Sequence, residues 1–169
     1  NASTNLLPFT NIYSLSKYQF SEYGKLYANK YNIEFINLKL ELFYGRDQPK
    51  DNFIPCIIDR LERNKVINLS SGTQKRDMIH ISDVVSAFKY ILYYDTHAGF
   101  QEYIVGTGEK HTIKETVLFL KDKLKSTSKI TFEYNTEYRE TSIEGRLISD
   151  IGHQIKYTWH KGLESIIFT

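Results

Sequence analysis

The 169-residue chain has one cysteine, three prolines, one methionine and one tryptophan. A lone thiol permits no internal disulfide, which fits a reducing cytoplasm. Cys56 lies in the apolar run Phe53-Ile54-Pro55-Cys56-Ile57-Ile58, so it reads as a buried structural thiol and not as a nucleophile. Long apolar stretches are missing as well. Residues 33–42 come nearest, and Glu34, Asn37, Lys39 and Glu41 interrupt them. No segment reads as a bilayer span or a signal peptide, so a membrane is not an expected partner. Charge of one sign is also lacking: 22 basic residues against 20 acidic ones leave no electrostatic footing for a nucleic-acid partner. His97, His111, His153 and His160 have no metal-ligand spacing with carboxylates or thiols, so no metal is expected.

What is present is a soluble-type composition, 41% hydrophobic and 25% charged, in a length that can bury one core. No repeat, low-complexity tract or linker divides it, so residues 1–169 read as a single unit. Asn1-Ala2 reads as the remnant of a tag.

Tyrosine is plentiful, and one stands out. In Tyr13-Ser14-Leu15-Ser16-Lys17 a phenol and an ammonium are spaced i, i+4, so on a helix both leave the same face. The cation favours the phenolate, and such a pair can move a proton at a sugar hydroxyl or carbonyl. Spacing alone proves little, because 13 Tyr among this many Lys give about one such pair by chance. A second pair, Tyr157 and Lys161, lies in a stretch without helical character and reads as coincidence. Context has to carry the first.

Periodicity places a helix over 14–31, with Tyr18, Phe20, Tyr23, Tyr27 and Tyr31 forming apolar or amphipathic stripes. An alternating strand over 33–43 ends in the loop 44–49. A helix over 52–64 tolerates Pro55 only in its first turn. Strands follow at 65–69 and 76–81, separated by a turn at 70–73. Ser82 or Asp83 caps a helix to about residue 94. A strand over 102–105 stops at Gly106-Thr107-Gly108. Thr112 and Glu115 form a capping box for a helix over 113–125. A strand over 129–134 and a helical piece within 155–168 end the chain. Strands alternating with helices make the class α/β.

The order of motifs resembles the C-terminal part of extended short-chain dehydrogenase/reductases, the NAD(P)-dependent nucleotide-sugar epimerase, dehydratase and reductase family. Five blocks carry the resemblance in family order: Tyr13 to Lys17 with its helix; the strand closing in Phe43-Tyr44-Gly45; Asn52-Phe53-Ile54-Pro55; Gly72-Thr73-Gln74-Lys75-Arg76-Asp77-Met78-Ile79-His80-Ile81-Ser82-Asp83-Val84-Val85; and Tyr138-Arg139-Glu140 with the ending Trp159 to Ile166. The fourth block is the most specific. Within the family, the CDP-dideoxyhexose enzymes, CDP-abequose synthases among them, are nearest in character.

The resemblance implies a Rossmann-type fold, NAD or NADP as cofactor, and a nucleotide-diphosphate sugar as substrate. Tyr13 would be the catalytic acid/base, and Lys17 would hold the nicotinamide ribose. Asn52 would bind substrate at a helix N-terminus, where amides and dipole favour anions, or serve as a simple N-cap. Arg76 and Arg139 would clamp the diphosphate with bidentate guanidinium forks. The rival for Arg76 is a cross-strand ion pair, and for Arg139 simple solvation. Asp77 and Asp83 read as structural, His80 as a satisfied core or edge histidine, and Lys121, Lys123 and Lys125 as a solvated face. The helix over 14–31 is a candidate homodimer surface, as in relatives.

The chain also departs from the family. Leu42 stands where members carry Asn, Lys39 where they carry Arg, Trp159-His160 where they carry Trp-Pro, and Pro8 is five residues before Tyr13 instead of four. The Leu42 change puts the substrate contact from this strand in doubt. The glycine-rich loop that seats a dinucleotide pyrophosphate is missing, since Gly106-Thr107-Gly108 lacks a third glycine and follows the wrong strand. The catalytic Ser/Thr, expected on a strand before Tyr13, has no place in so short a lead-in. These gaps predict a piece of an enzyme, engineered or naturally truncated, that neither binds NAD(P) tightly nor turns over substrate alone. The alternative is a non-catalytic binding or assembly protein on the same fold; an unrelated α/β interaction domain is a third reading.

Overall fold

The computed structural model describes residues 1–94, 99–133 and 145–167. The chain opens with a strand that the sequence reading lacks, β1 (Ala2–Thr4), paired in parallel with residues 38–40. Asn1 and Ala2 are therefore part of the fold. The Asn1 side chain donates to Asn37 Oδ1 at 2.7 Å.

The first helix, α1 (Ile12–Tyr31), starts one residue past Asn11, whose side chain accepts from Ser14 N–H while Ser14 Oγ accepts from Asn11 N–H. Its face on the sheet is made of small residues, Ser14, Ser21, Gly24 and Ala28. The tyrosine stripes point outward, and Tyr13, Tyr18, Phe20, Tyr23, Tyr27 and Tyr31 are all exposed. A Cβ on Gly24 would run into the Phe35 ring, so this glycine lets the helix lie close to the sheet.

The single strand expected over 33–43 is two. β2 (Glu34–Leu40) pairs in parallel with β1, and β3 (Leu42–Tyr44) leaves for another sheet, with Glu41 at the break. α2 (Phe53–Glu62) has Pro55 in its first turn, where a missing N–H costs nothing. Cys56, on this helix, is half-buried and not fully buried as expected.

β4 (Ile67–Leu69) and β5 (Lys75–His80) follow, and α3 (Ile81–Tyr93) starts immediately after β5. Its N-cap is His80, whose Nδ1 accepts from Ser82 N–H at 3.2 Å, and not Ser82 or Asp83. Asp83 is buried one turn later and accepts from the N–H groups of Lys156 and Tyr157, both at 3.0 Å.

β6 (Gly99–Val105) is longer than expected and pairs in parallel with β2 along its whole length. β7 (Lys110–Thr112), which the sequence reading lacks, runs antiparallel to β5. α4 (Ile113–Lys123) has the expected Thr112/Glu115 capping box. β8 (Ile130–Phe132) pairs with β4, and after a 3₁₀ turn at Ile148–Ile151 the last helix is α5 (Trp159–Ile167). Tyr157 precedes α5, so Tyr157 and Lys161 do not share a helix face.

The class is mixed α/β with parallel sheets. Two apolar cores lie on either side of the Glu41 break. One, around Leu38, Val84, Tyr103 and Val105, belongs to the β1-β2-β6 sheet; the other, around Ile54, Leu61, Val117 and Leu163, joins α2, α4 and α5.

Candidate active site

Parallel strands present their C-terminal ends together, and a crevice opens where neighbouring connections diverge. Here β2 continues at Glu41 into β3, in another sheet, while β1 ends at Thr4, with Asn5 N–H still donating to the Leu40 carbonyl at 3.1 Å. Between them, against the N-terminus of α2, lies a cleft of about 350 Å³.

The cleft brings together residues far apart in sequence. β1 contributes Ser3 and Thr4, α1 contributes Tyr13, the N-terminus of α2 contributes Asn52, and β5 contributes Arg76. Asn52 occupies the N-cap position, yet its side chain makes no capping bond, which leaves it available to the cleft it lines. Arg76 donates from Nη1 to the Lys75 carbonyl at 2.9 Å and stands opposite His111 in the β5–β7 register.

Lys17 is on the same helix face as Tyr13, with Nζ 5.7 Å from the centre of the Tyr13 ring. One of its three donors reaches the Ala2 carbonyl at 3.2 Å, tying α1 to β1. Arg139 lies outside the described residues.

Thr4, and the strand that carries it, were missed in the sequence because three residues are too few to show a period. The signal was the run Ala2-Ser3-Thr4 pointing at a parallel partner, and only the partner's register makes it legible.

The wall formed by residues 40–43 is Leu40, Glu41, Leu42 and Phe43, so Glu41 is its one ionisable group. Asn5 Nδ2 donates to Glu41 Oε1 at 2.6 Å. Burial pushes the Glu41 carboxyl above the usual carboxylate range; the Asn5 bond opposes this, Asp77 adds to it, and Lys110 and Arg76 oppose it. Lys39 does not reach for the cleft. It pairs with Glu102 of β6, and Glu102 Oε2 accepts from Asn37 Nδ2 at 2.7 Å under α1.

The Gly106-Thr107-Gly108 loop has a different occupant from a pyrophosphate. Asp77 Oδ1 accepts from Thr107 N–H at 3.0 Å and from Thr107 Oγ1 at 2.7 Å, and its Oδ2 accepts from Gly108 N–H at 2.7 Å. The donors of this small nest are committed to a buried carboxylate, so Asp77 is structural, as its sequence context implies. His80 is likewise satisfied, capping α3 and packed between the rings of Tyr44 and Tyr157. Lys123 is not simply solvated: it forms an ion pair with Glu164 of α5 at 2.6 Å.

Comparisons with known proteins address the family and the fold. Residues 1–106 match the NAD dependent epimerase/dehydratase family. The chain is 31% identical over 163 residues to CDP-abequose synthase of Salmonella typhimurium, covering 92% of this chain and 54% of that protein. It thus spans about half the length of the curated relatives it matches. Among solved structures it superposes on dTDP-glucose 4,6-dehydratase of Bacillus anthracis, a complex with NAD, with a TM-score of 0.84 at 22% identity, over 98% of this chain and 59% of that one. The UDP-glucose 4-epimerase of Thermotoga maritima, solved with UDP-glucose, gives 0.80 at 18% identity over 98% and 60%. With the cleft at the end of a parallel sheet and a sequence match over more than half its length, the chain belongs to the NAD dependent epimerase/dehydratase family.

Proposed function

We propose that this chain is the C-terminal, substrate-binding part of an NAD(P)-dependent nucleotide-sugar epimerase, dehydratase or 4-keto reductase of the cytoplasm. The observation that carries the reading is that Thr4, Tyr13, Asn52 and Arg76, from four elements, line one cleft. Tyr13 is the acid/base that moves the sugar hydroxyl proton, and the Thr4 hydroxyl on β1 takes the place of the Ser/Thr that family members carry before the tyrosine. Asn52 and Arg76 bind the nucleotide diphosphate, the guanidinium by a charge-assisted fork and Asn52 beside the exposed amides of α2.

Tyr13 and Lys17 fit the nicotinamide-ribose end of a dinucleotide, since Lys17 keeps two donors beyond the one given to Ala2. The chemistry a nicotinamide supplies when bound is hydride transfer at a sugar carbon. Among the described residues nothing cradles the pyrophosphate, because the one glycine-flanked loop of this kind is filled by Asp77. The chain by itself therefore neither binds NAD(P) tightly nor turns over substrate. Its aromatic α1 face is the surface through which two copies pair. Among the described residues no helix is long and apolar enough to cross a membrane.

Calorimetric titration tests both halves of the reading. CDP-, UDP- or dTDP-hexoses bind the chain, and Arg76→Ala weakens that binding; a chain that binds none of them at millimolar concentration refutes substrate recognition. Micromolar affinity for NAD or NADP would overturn the claim that the chain is inactive alone.

A further inference from the structure

Glu41 is not explained by the acid/base pair or by the diphosphate-binding residues. It sits at the C-terminal end of β2, where the chain changes sheets, and its backbone N–H donates to the Val105 carbonyl at 3.1 Å. That bond, from β6, and the side chain of Asn5, just past β1, hold the residue from both sides. Its neighbours Leu40, Leu42 and Phe43 give the cleft an apolar wall, so this stretch of the lining has a single hydrogen-bonding side chain.

Burying a carboxylate costs free energy, and among the described residues Asn5 is the side chain that donates a hydrogen bond to it. A carboxylate has about four acceptor sites, and Asn5 uses one. The groups around it are Asp77 and Arg76 of β5, Lys110 of β7 and Asn5 beyond β1. Gly106 of the β6 loop comes close enough that a Cβ there would meet the Glu41 Cγ, so the side chain has little room to turn back into the sheet. Directed away from the sheet, it meets the volume that Tyr13 and Thr4 also line.

We propose that Glu41 determines sugar specificity: its carboxylate, positioned by Asn5, accepts a hydrogen bond from one hydroxyl of the hexose bound in the cleft. The proposal rests on the nucleotide-sugar reading above. Glu41 reads the sugar, while Asn52 and Arg76 hold the nucleotide diphosphate. The neighbouring leucines then favour an adjacent ring carbon that carries hydrogen over one that carries a hydroxyl, because an unpaired hydroxyl against them would be desolvated.

The test is a thermodynamic cycle on the chain as it stands. Affinities of wild type and Glu41→Gln are measured by calorimetry for CDP- and UDP-glucose, for their 2-, 3-, 4- and 6-deoxy analogues, and for bare CDP and UDP. A hydrogen bond to a charged acceptor is worth about 10- to 100-fold in affinity. One deoxy analogue should lose roughly that factor in wild type and nothing further in Glu41→Gln, with bare-nucleotide affinities unchanged. Glu41→Leu should show the same pattern with a larger loss for the intact sugar. If every deoxy substitution acts independently of Glu41→Gln, Glu41 does not read the sugar, although nucleotide-sugar binding stands. If wild type binds no nucleotide sugar at all, the functional reading fails and this proposal with it. Thermal midpoints of the two variants separate lost binding from lost folding.

Discussion

Gly108 N–H donates to Asp77 Oδ2 at 2.7 Å, and this bond closes the loop after β6 onto β5. With Thr107 it makes three hydrogen bonds on one buried carboxylate, at the point where the two sheets meet beside the cleft. Asp77→Ala strands two backbone donors and a hydroxyl, and should destabilise the chain by about 3 kcal/mol. Urea unfolding measures this as a lower midpoint at constant slope. A loss under about 1 kcal/mol would mean that water replaces the carboxylate.

Gly162 on α5 lies directly against the hydroxyl of buried Tyr44, and a Cβ there would collide with it. Gly162→Ala should therefore cost about 1–3 kcal/mol, although alanine is the better helix former. Tyr44→Phe removes the colliding atom. In that background the same substitution should cost less than half as much, and an unchanged cost would show that the backbone, not the phenol, sets the limit.

His80 and His153 are both held below the usual histidine range, in each case by burial, with Asp83 opposing. The fold therefore favours their neutral forms. Below about pH 6.5 the unfolded chain takes up protons first, so stability present above that pH falls as the medium becomes more acid. Protonating His80 Nδ1 also removes the α3 cap. His80→Asn keeps a capping oxygen without the titration, so its melting temperature should fall less steeply between pH 7 and pH 5. A profile parallel to wild type would assign the acid sensitivity elsewhere.

Tyr23 and Tyr27 stand exposed on the outer face of α1, whose inner face is made of small residues. Sedimentation should show a concentration-dependent dimer that Tyr23→Glu with Tyr27→Glu converts to monomer, without loss of helical circular dichroism. A wild-type chain monomeric at several hundred micromolar would remove this face as an interface.

Arg76→Ala should weaken CDP and CDP-glucose equally, by about 10-fold, as expected for a diphosphate contact. Unequal losses, measured by calorimetry, would put the guanidinium on the sugar instead.

Helix positions were legible because their signals are local. Thr112 and Glu115 cap α4 through atoms three residues apart, and Pro55 can only occupy a first turn. The pairing of Tyr13 with Lys17 is also local, since one helical turn joins them. The break at Glu41 was not legible. Residues 33–43 alternate as one strand would, and only the separate partners of β2 and β3 divide them.

The outward face of α1 shows the same limit. Tyrosine periodicity marks a stripe, but which stripe meets the sheet depended on Gly24 and its small neighbours permitting close approach to Phe35. His80 as a cap needed β5 to run straight into α3, and Asn52 as a cleft residue needed its capping bond to be absent.

The amino-acid sequence by itself determined the helices, the α/β class, and the one-turn spacing of Tyr13 and Lys17 with its family context, because each rests on contacts within a turn or on motifs in order. Only the tertiary structure decided that Thr4, Tyr13, Asn52, Arg76 and Glu41 share one cleft. Parallel pairing brings together strands that sequence separation keeps apart, and a three-residue strand acquires its identity only from the partner whose register it joins.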